Sequence, residues 1–109
     1  MKIIKIYFCL EYEMIGCYKD TESRAIDVYP KFYYDDPVTY CYARAKSYRY
    51  TYFAVQDGTQ CRVGGDSYFN NYTKYGLATN CKDGKGGLWA NNVYKVKGKG
   101  MSIFNYGLT

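Results

Sequence analysis

Histidine is absent from this chain of 109 residues. That removes the side chain that most often serves as a general base or nucleophile activator near neutral pH. Ser-His and Cys-His catalysis are therefore excluded within the chain. Ten acidic residues leave carboxylate chemistry open, but none sits in a pattern that singles it out, and the chain reads as no enzyme. Long apolar runs are missing too, and no stretch approaches the length of about 20 residues that spans a bilayer. No Cys-x-x-Cys pair occurs. The five cysteines lie 8, 24, 20 and 20 residues apart, whereas structural zinc sites bring their ligands in close pairs. Neither a metal nor another cofactor is expected. The motifs of RNA-recognition domains, zinc fingers and helix-turn-helix proteins are also lacking, which argues against nucleic acid as the partner.

What is present points elsewhere. The length suits one domain with a modest core and little stability to spare. Five cysteines in so short a chain point to disulfides and an oxidising compartment. Tyrosine is the outlier, at 16 residues. It joins a large apolar body to a polar tip, so it suits strands, half-buried surface and binding faces. The formal charge is +5, with Lys82, Lys85, Lys95, Lys97 and Lys99 late in the chain. That balance suits anionic partners or a solvated basic surface. The run from Lys97 to Gly100 is read as an exposed loop, since no Ser or Thr follows a Gly-Lys pair at phosphate-loop spacing.

The stretch Tyr52 to Gly65 organises the rest. An apolar run, the pair Asp57-Gly58 and a return run carrying Cys61 predict a hairpin. Before it, Asp36 and Pro37 mark a helix start, with Val38, Cys41, Tyr42 and Ala45 on one face and an end near Ser47 or Tyr48. Residues 2–12 alternate, placing Ile4, Ile6, Phe8, Leu10 and Tyr12 on one face of a strand. As a signal peptide this run is too short, is broken by Lys5 and lacks a cleavage site. Residues 14–20 predict a second strand, Ala25 to Tyr29 a short extended piece, and Val93 to Val96 and Ser102 to Tyr106 the last strands. Asp66 to Tyr75 is the candidate for a second short helix, with Gly76 as its stop. Trp89 is expected to open a polar turn over Ala90-Asn91-Asn92. The sum is an α+β fold: a small disulfide-stapled domain, an antiparallel sheet packed with one main helix. Asn71-Tyr72-Thr73 is an N-glycosylation sequon and agrees with secretion.

Several of these segments occur in a familiar order. Gly16-Cys-Tyr-Lys-Asp20, Arg24-Ala-Ile26, a helix cysteine at Cys41, Phe53-Ala-Val-Gln56 with Gly58 and Cys61, Asn80-Cys81 with Gly86-Gly87, and Asn92-Val-Tyr94 resemble a WSC-type domain. The likeness spans residues 14–96 and is nearest to short WSC-like domains of secreted marine-invertebrate proteins. It leaves 1–13 as an N-terminal strand-forming extension and 97–109 as a strand-like tail. Cys17, Cys41, Cys61 and Cys81 match the family's cysteines. Four cysteines allow three pairings, and the resemblance favours Cys41–Cys61 and Cys17–Cys81. Cys9 stays outside the match, as a free thiol or an intermolecular link.

WSC domains are regarded as carbohydrate-binding modules of extracellular proteins. The resemblance therefore implies a secreted, lectin-like function with glycans or extracellular matrix as partner, and the basic charge suggests anionic glycans. Sugars stack on aromatic rings and bond to amides, carboxylates and guanidinium groups. Gln56, Asp57, Gln60, Arg62, Asp66, Asn70, Tyr75, Trp89, Asn91 and Asn92 are the candidate contacts, chosen as exposed residues around the hairpin and the Trp89 loop. The other reading is an extracellular structural protein. Alternating strands at both termini could donate to a neighbour's sheet and build a homo-oligomer, fibre or adhesive matrix. Alternatively, the two tails pair with each other inside one domain.

Overall fold

The computed structural model describes residues 5–8, 11–26, 29–64, 67, 70–97 and 103–106. Its centre is the expected hairpin. Strand β4 (Tyr52–Gln56) and strand β5 (Gln60–Gly64) pair antiparallel from Tyr52 opposite Gly64 to Gln56 opposite Gln60. The connection needs positive φ at Asp57 (50°) and Gly58 (82°), which an Asp-Gly pair supplies at little cost. Strand β2 (Tyr12–Lys19), strand β3 (Lys31–Phe32) and strand β6 (Ala90–Val96) complete a five-stranded antiparallel sheet in the order β2-β6-β4-β5-β3. A register shift between Met14 and Gly16 marks a bulge in β2.

Helix α1 (Pro37–Ser47) covers one face of the sheet. Asp36 is its N-cap and accepts the Thr39 N–H at 3.4 Å, and Pro37 sits where its missing N–H costs nothing. Cys41, Tyr42 and Ala45 point inward, onto Phe53, Val55, Cys61, Val63 and Tyr94. Aromatic rings fill this layer. Phe53 and Tyr94 stack with centroids 4.8 Å apart, and Tyr12 meets both edge-on at 5.5 Å. Each such pair adds about 1 kcal/mol beyond its buried area. The opposite face holds a smaller cluster, Ala25, Ile26, Ala54 and Val93, walled by Ile15, Tyr18, Tyr52, Tyr72 and Tyr75.

Two disulfides staple this frame. Cys41–Cys61 joins α1 to β5, and Cys17–Cys81 joins β2 to the loop before β6. With sequence separations of 20 and 64 residues, loop-closure entropy assigns them about 3 and about 4 kcal/mol. Both match the pairing that the resemblance favoured among the three possible. The fifth cysteine, Cys9, lies outside the described residues.

Four sequence expectations need correction. No second helix occurs among the described residues of 66–75. The Asn71 carboxamide accepts the N–H and hydroxyl of Thr73, at 2.9 and 2.8 Å, and this local bonding closes turns instead of a helix. The segment Ala90-Asn91-Asn92 is strand, because the turn falls one step earlier, at Gly87 to Ala90, where each N–H donates to the other's carbonyl. Ala25 and Ile26 are buried loop, held by the Asp20 carboxylate. The boundary drawn before residue 14 falls inside β2, whose Tyr12 already packs in the core. The terminal strands β1 (Lys5–Phe8) and β7 (Ile103–Tyr106) pair with each other antiparallel, Lys5 opposite Tyr106 and Phe8 opposite Ile103.

Candidate functional site

A pocket of about 110 Å³ opens beside the hairpin tip, lined by Arg24, Gln56, Asp57, Gln60, Leu88 and Trp89. Its rim is the turn from Gly87 to Ala90. Trp89 occupies the third position of that turn with φ 52°. Glycine normally fills this conformation, and a bulky side chain there costs about 1–2 kcal/mol. Strain of this kind persists where surrounding structure over-determines it and is a signature of functional sites. Here the Trp89 carbonyl accepts the Asp20 N–H at 2.9 Å, and the turn is closed by the Gly87–Ala90 pair. The ring remains 42 % exposed, and Leu88 beside it 67 %. The Arg24 guanidinium lies 4.6 Å from the ring centroid and backs the indole.

Asp20 anchors everything beneath. Its side chain is fully buried. One oxygen, Oδ1, accepts the N–H groups of Thr21 and Ala25, both at 2.9 Å. The other, Oδ2, accepts from Arg24 Nη1 and Gln56 Nε2, both at 3.0 Å. Arg62 Nε lies 4.0 Å from the same oxygen, and Arg62 Nη2 donates to Gln60 Oε1 at 2.9 Å. A buried carboxylate tolerates the interior only with such compensation. The result is a polar floor whose amides and guanidinium groups are locked before any ligand arrives.

The sequence-predicted residues divide accordingly. Gln56, Asp57, Gln60 and Trp89 come together in the pocket wall. Arg62, chosen as exposed, is fully buried and supports Gln60 from behind. Asn91 is fully buried, and its amide has no hydrogen-bond partner among the described residues. Asn92 is buried as well, and its Oδ1 accepts the Gly86 N–H at 2.7 Å, fixing the loop that precedes the Trp89 turn. These three, and Gln56 in the pocket wall at 2 % exposed, were placed on the surface because polar side chains usually lie there; strand pairing of β4, β5 and β6 draws them in. Tyr75 packs in the cluster opposite α1, with its hydroxyl donating to the Ser23 carbonyl. Asn70 is half-buried in the neighbouring loop, and Asp66 lies outside the described residues. Asn71 of the sequon is exposed.

Sequence reasoning missed Asp20, Arg24 and Leu88 as site components. The signal existed for two of them. Asp20 and Arg24 stand four residues apart, inside segments noted only for their order.

Next to this pocket, Asp57 also borders a wider hollow of about 390 Å³ formed with the turn carrying Lys82, Asp83 and Lys85. That turn is held rigidly. Gly58 N–H donates to the Lys85 carbonyl, Asp57 N–H to the Gly87 carbonyl, and Tyr94 hydroxyl to the Gly84 carbonyl at 2.6 Å. A Cβ on Gly86 would meet the Val55 carbonyl at 2.2 Å, so only glycine fits there. Among the described residues no cluster of His, Cys, Asp and Glu side chains could hold a metal ion, and no helix is long and apolar enough to cross a membrane. No family model matches this chain, and no curated protein matches it.

Proposed function

We propose that this chain is a secreted, non-catalytic carbohydrate-binding module of the WSC-like kind, with its site at the Arg24–Trp89 pocket. One observation carries the reading. An exposed tryptophan is held in a strained turn, backed by a guanidinium and set beside a pre-bonded row of amides. That combination offers an apolar stacking face and oriented donors and acceptors, which is what a sugar ring needs. The two disulfides agree with an oxidising, extracellular setting. The pocket is small and shallow, which fits one terminal or side-chain sugar unit.

A glycan array with the full chain tests this. Binding to a defined glycan set, lost in Trp89→Ala and weakened in Arg24→Gln, is the expected result. Arg62 is unsuitable as a probe because it is fully buried, so its removal would disturb the fold beneath Gln60 as well as the site. No binding to any neutral or anionic glycan would sink the proposal.

A second reading, an extracellular structural protein that assembles through its terminal strands, has its own support. The pair β1–β7 is a two-stranded ribbon, and such ribbons are marginal alone in water. A second copy adding strands would stabilise it. Size-exclusion chromatography of the full chain and of a chain lacking residues 1–10 separates the readings. Monomers in both would end the assembly idea.

A further inference from the structure

The Trp89 pocket does not end at its rim. Asp57 forms one wall of it and also one wall of the wider hollow beside it. The strip of backbone from Gly86 to Trp89 is shared in the same way. Gly86 and Gly87 line the hollow, while Leu88 and Trp89 line the pocket. The hollow, at about 390 Å³, has more than three times the volume of the pocket, at about 110 Å³. A ligand seated in the pocket therefore meets a second, larger recess across one residue, Asp57.

Two turns of the same kind border the hollow. Asp57-Gly58 has φ 50° and 82°, and Asp83-Gly84 has φ 55° and 71°. The bond from Gly58 N–H to the Lys85 carbonyl, at 2.8 Å, ties one turn to the other. Lys85 N–H closes the second turn on the Lys82 carbonyl at 2.9 Å, and Lys82 N–H donates to the Gly86 carbonyl at 3.1 Å. A Cβ on Gly87 would meet the Asn80 carbonyl oxygen at 2.1 Å, so the floor stays bare backbone. Asn80 Nδ2 donates to the Leu88 carbonyl at 3.0 Å and links hollow to pocket. Walls fixed before binding spare the ordering cost that a mobile loop would add. The charged side chains on these walls are uncommitted. Asp57, Lys82, Asp83 and Lys85 form no ion pair or side-chain hydrogen bond among the described residues. Such a set suits a hydroxyl-rich ligand, because a carboxylate accepts from two neighbouring hydroxyls and an ammonium donates to their oxygens. No aromatic residue lines the hollow, so stacking is confined to Trp89.

We infer that the hollow is a second subsite of the same binding site, so that the ligand is an oligosaccharide of at least two units. One ring stacks on Trp89. The ring joined to it passes Asp57 and enters the hollow, where its hydroxyls bond to Lys82, Asp83 and Lys85. This rests on the Trp89 pocket being a glycan site, and adds that the sugar chain is read along its length.

An array of the mono-, di- and trisaccharides of glucose, galactose, mannose, xylose and N-acetylglucosamine tests the inference. It is probed with the full chain, and each series that binds is then titrated by calorimetry. Within a binding series the disaccharide should bind at least about tenfold more tightly than the monosaccharide. The double variant Asp83→Asn/Lys85→Gln should lose that gain and bind the monosaccharide as the unaltered chain does. Asparagine takes positive φ as aspartate does, so the turn is kept. Lys82→Gln, a change at an exposed position, should reduce the gain in the same direction and guards against a folding defect in the double variant. Trp89→Ala should lose both monosaccharide and disaccharide. Equal affinity for monosaccharide and disaccharide in every binding series, or a gain that persists in both hollow variants, would overturn the second subsite and leave the Trp89 pocket standing. Absence of any binding, or monosaccharide binding that Trp89→Ala leaves unaltered, would overturn the Trp89 reading and the second subsite with it.

Discussion

Trp89 and Asp20 are the two residues on which the pocket depends, and each makes a distinct prediction. The backbone at Trp89 has φ 52°, so removing the side chain and removing the strain are separable. Trp89→Gly should be about 1 kcal/mol more stable than Trp89→Ala, because glycine accepts that conformation freely. Chemical denaturation of the pair measures this, and equal stabilities would mean the turn is not strained. Asp20→Ala should cost about 3–5 kcal/mol, since it leaves Arg62 buried without its carboxylate and removes acceptors for four donors. Retention of wild-type stability would show the network to be dispensable. Tyr94 adds a pH dependence. Burial first, and then neighbouring Tyr12, raise its hydroxyl above the ordinary phenol value of 10.0. Folding thus favours the neutral phenol, whose hydrogen bond to the Gly84 carbonyl needs that proton. The contribution is intact below about pH 10 and is lost as pH rises through the raised value. Alkaline melting curves should show stability falling above pH 10, and Tyr94→Phe should flatten that fall. At this scale the sequence was informative for Trp89, the lone tryptophan, and uninformative for Asp20. A single carboxylate carries no mark of burial until its partners converge from Arg24, Gln56 and Arg62, which lie up to 42 positions away.

Elements whose signals are local were legible in advance. The Asp57-Gly58 turn, the Asp36-Pro37 helix start and the face formed by Cys41, Tyr42 and Ala45 all rest on neighbours within a few residues. The failures share a cause, which is that distant packing overrode local preference. Ala90-Asn91-Asn92 reads as a turn by composition. Yet β2 and β4 flank it on both sides and satisfy its backbone, so it becomes strand. Strand β3 is only two residues long and exists through its pairing with Gln60 and Cys61. The two staples also differ by element. Cys41 and Cys61 are fully buried between α1 and β5, whereas Cys17 and Cys81 are partly accessible. Mild reductant should therefore open Cys17–Cys81 first. Trapping the freed thiols and mapping the peptides checks the order. The first product should also lose glycan affinity, because that bridge anchors the loop leading into the Trp89 turn. Simultaneous opening of both bridges would contradict the separation.

For the molecule as a whole, the covalent frame and the aromatic layer under α1 hold a small sheet whose hairpin end carries the pocket. Its fold class followed from local patterns, while the site did not, because it is assembled from three separate stretches around the tip of one hairpin. The chain has a single tryptophan, so its fluorescence reports on the proposed site without a label. Titrating the intact protein with a glycan that it captures on an array should change Trp89 emission saturably, with the same half-saturation as binding, and Arg24→Gln should shift both together. Saturable glycan binding that leaves Trp89 emission unaltered would place the sugar elsewhere and contradict the account.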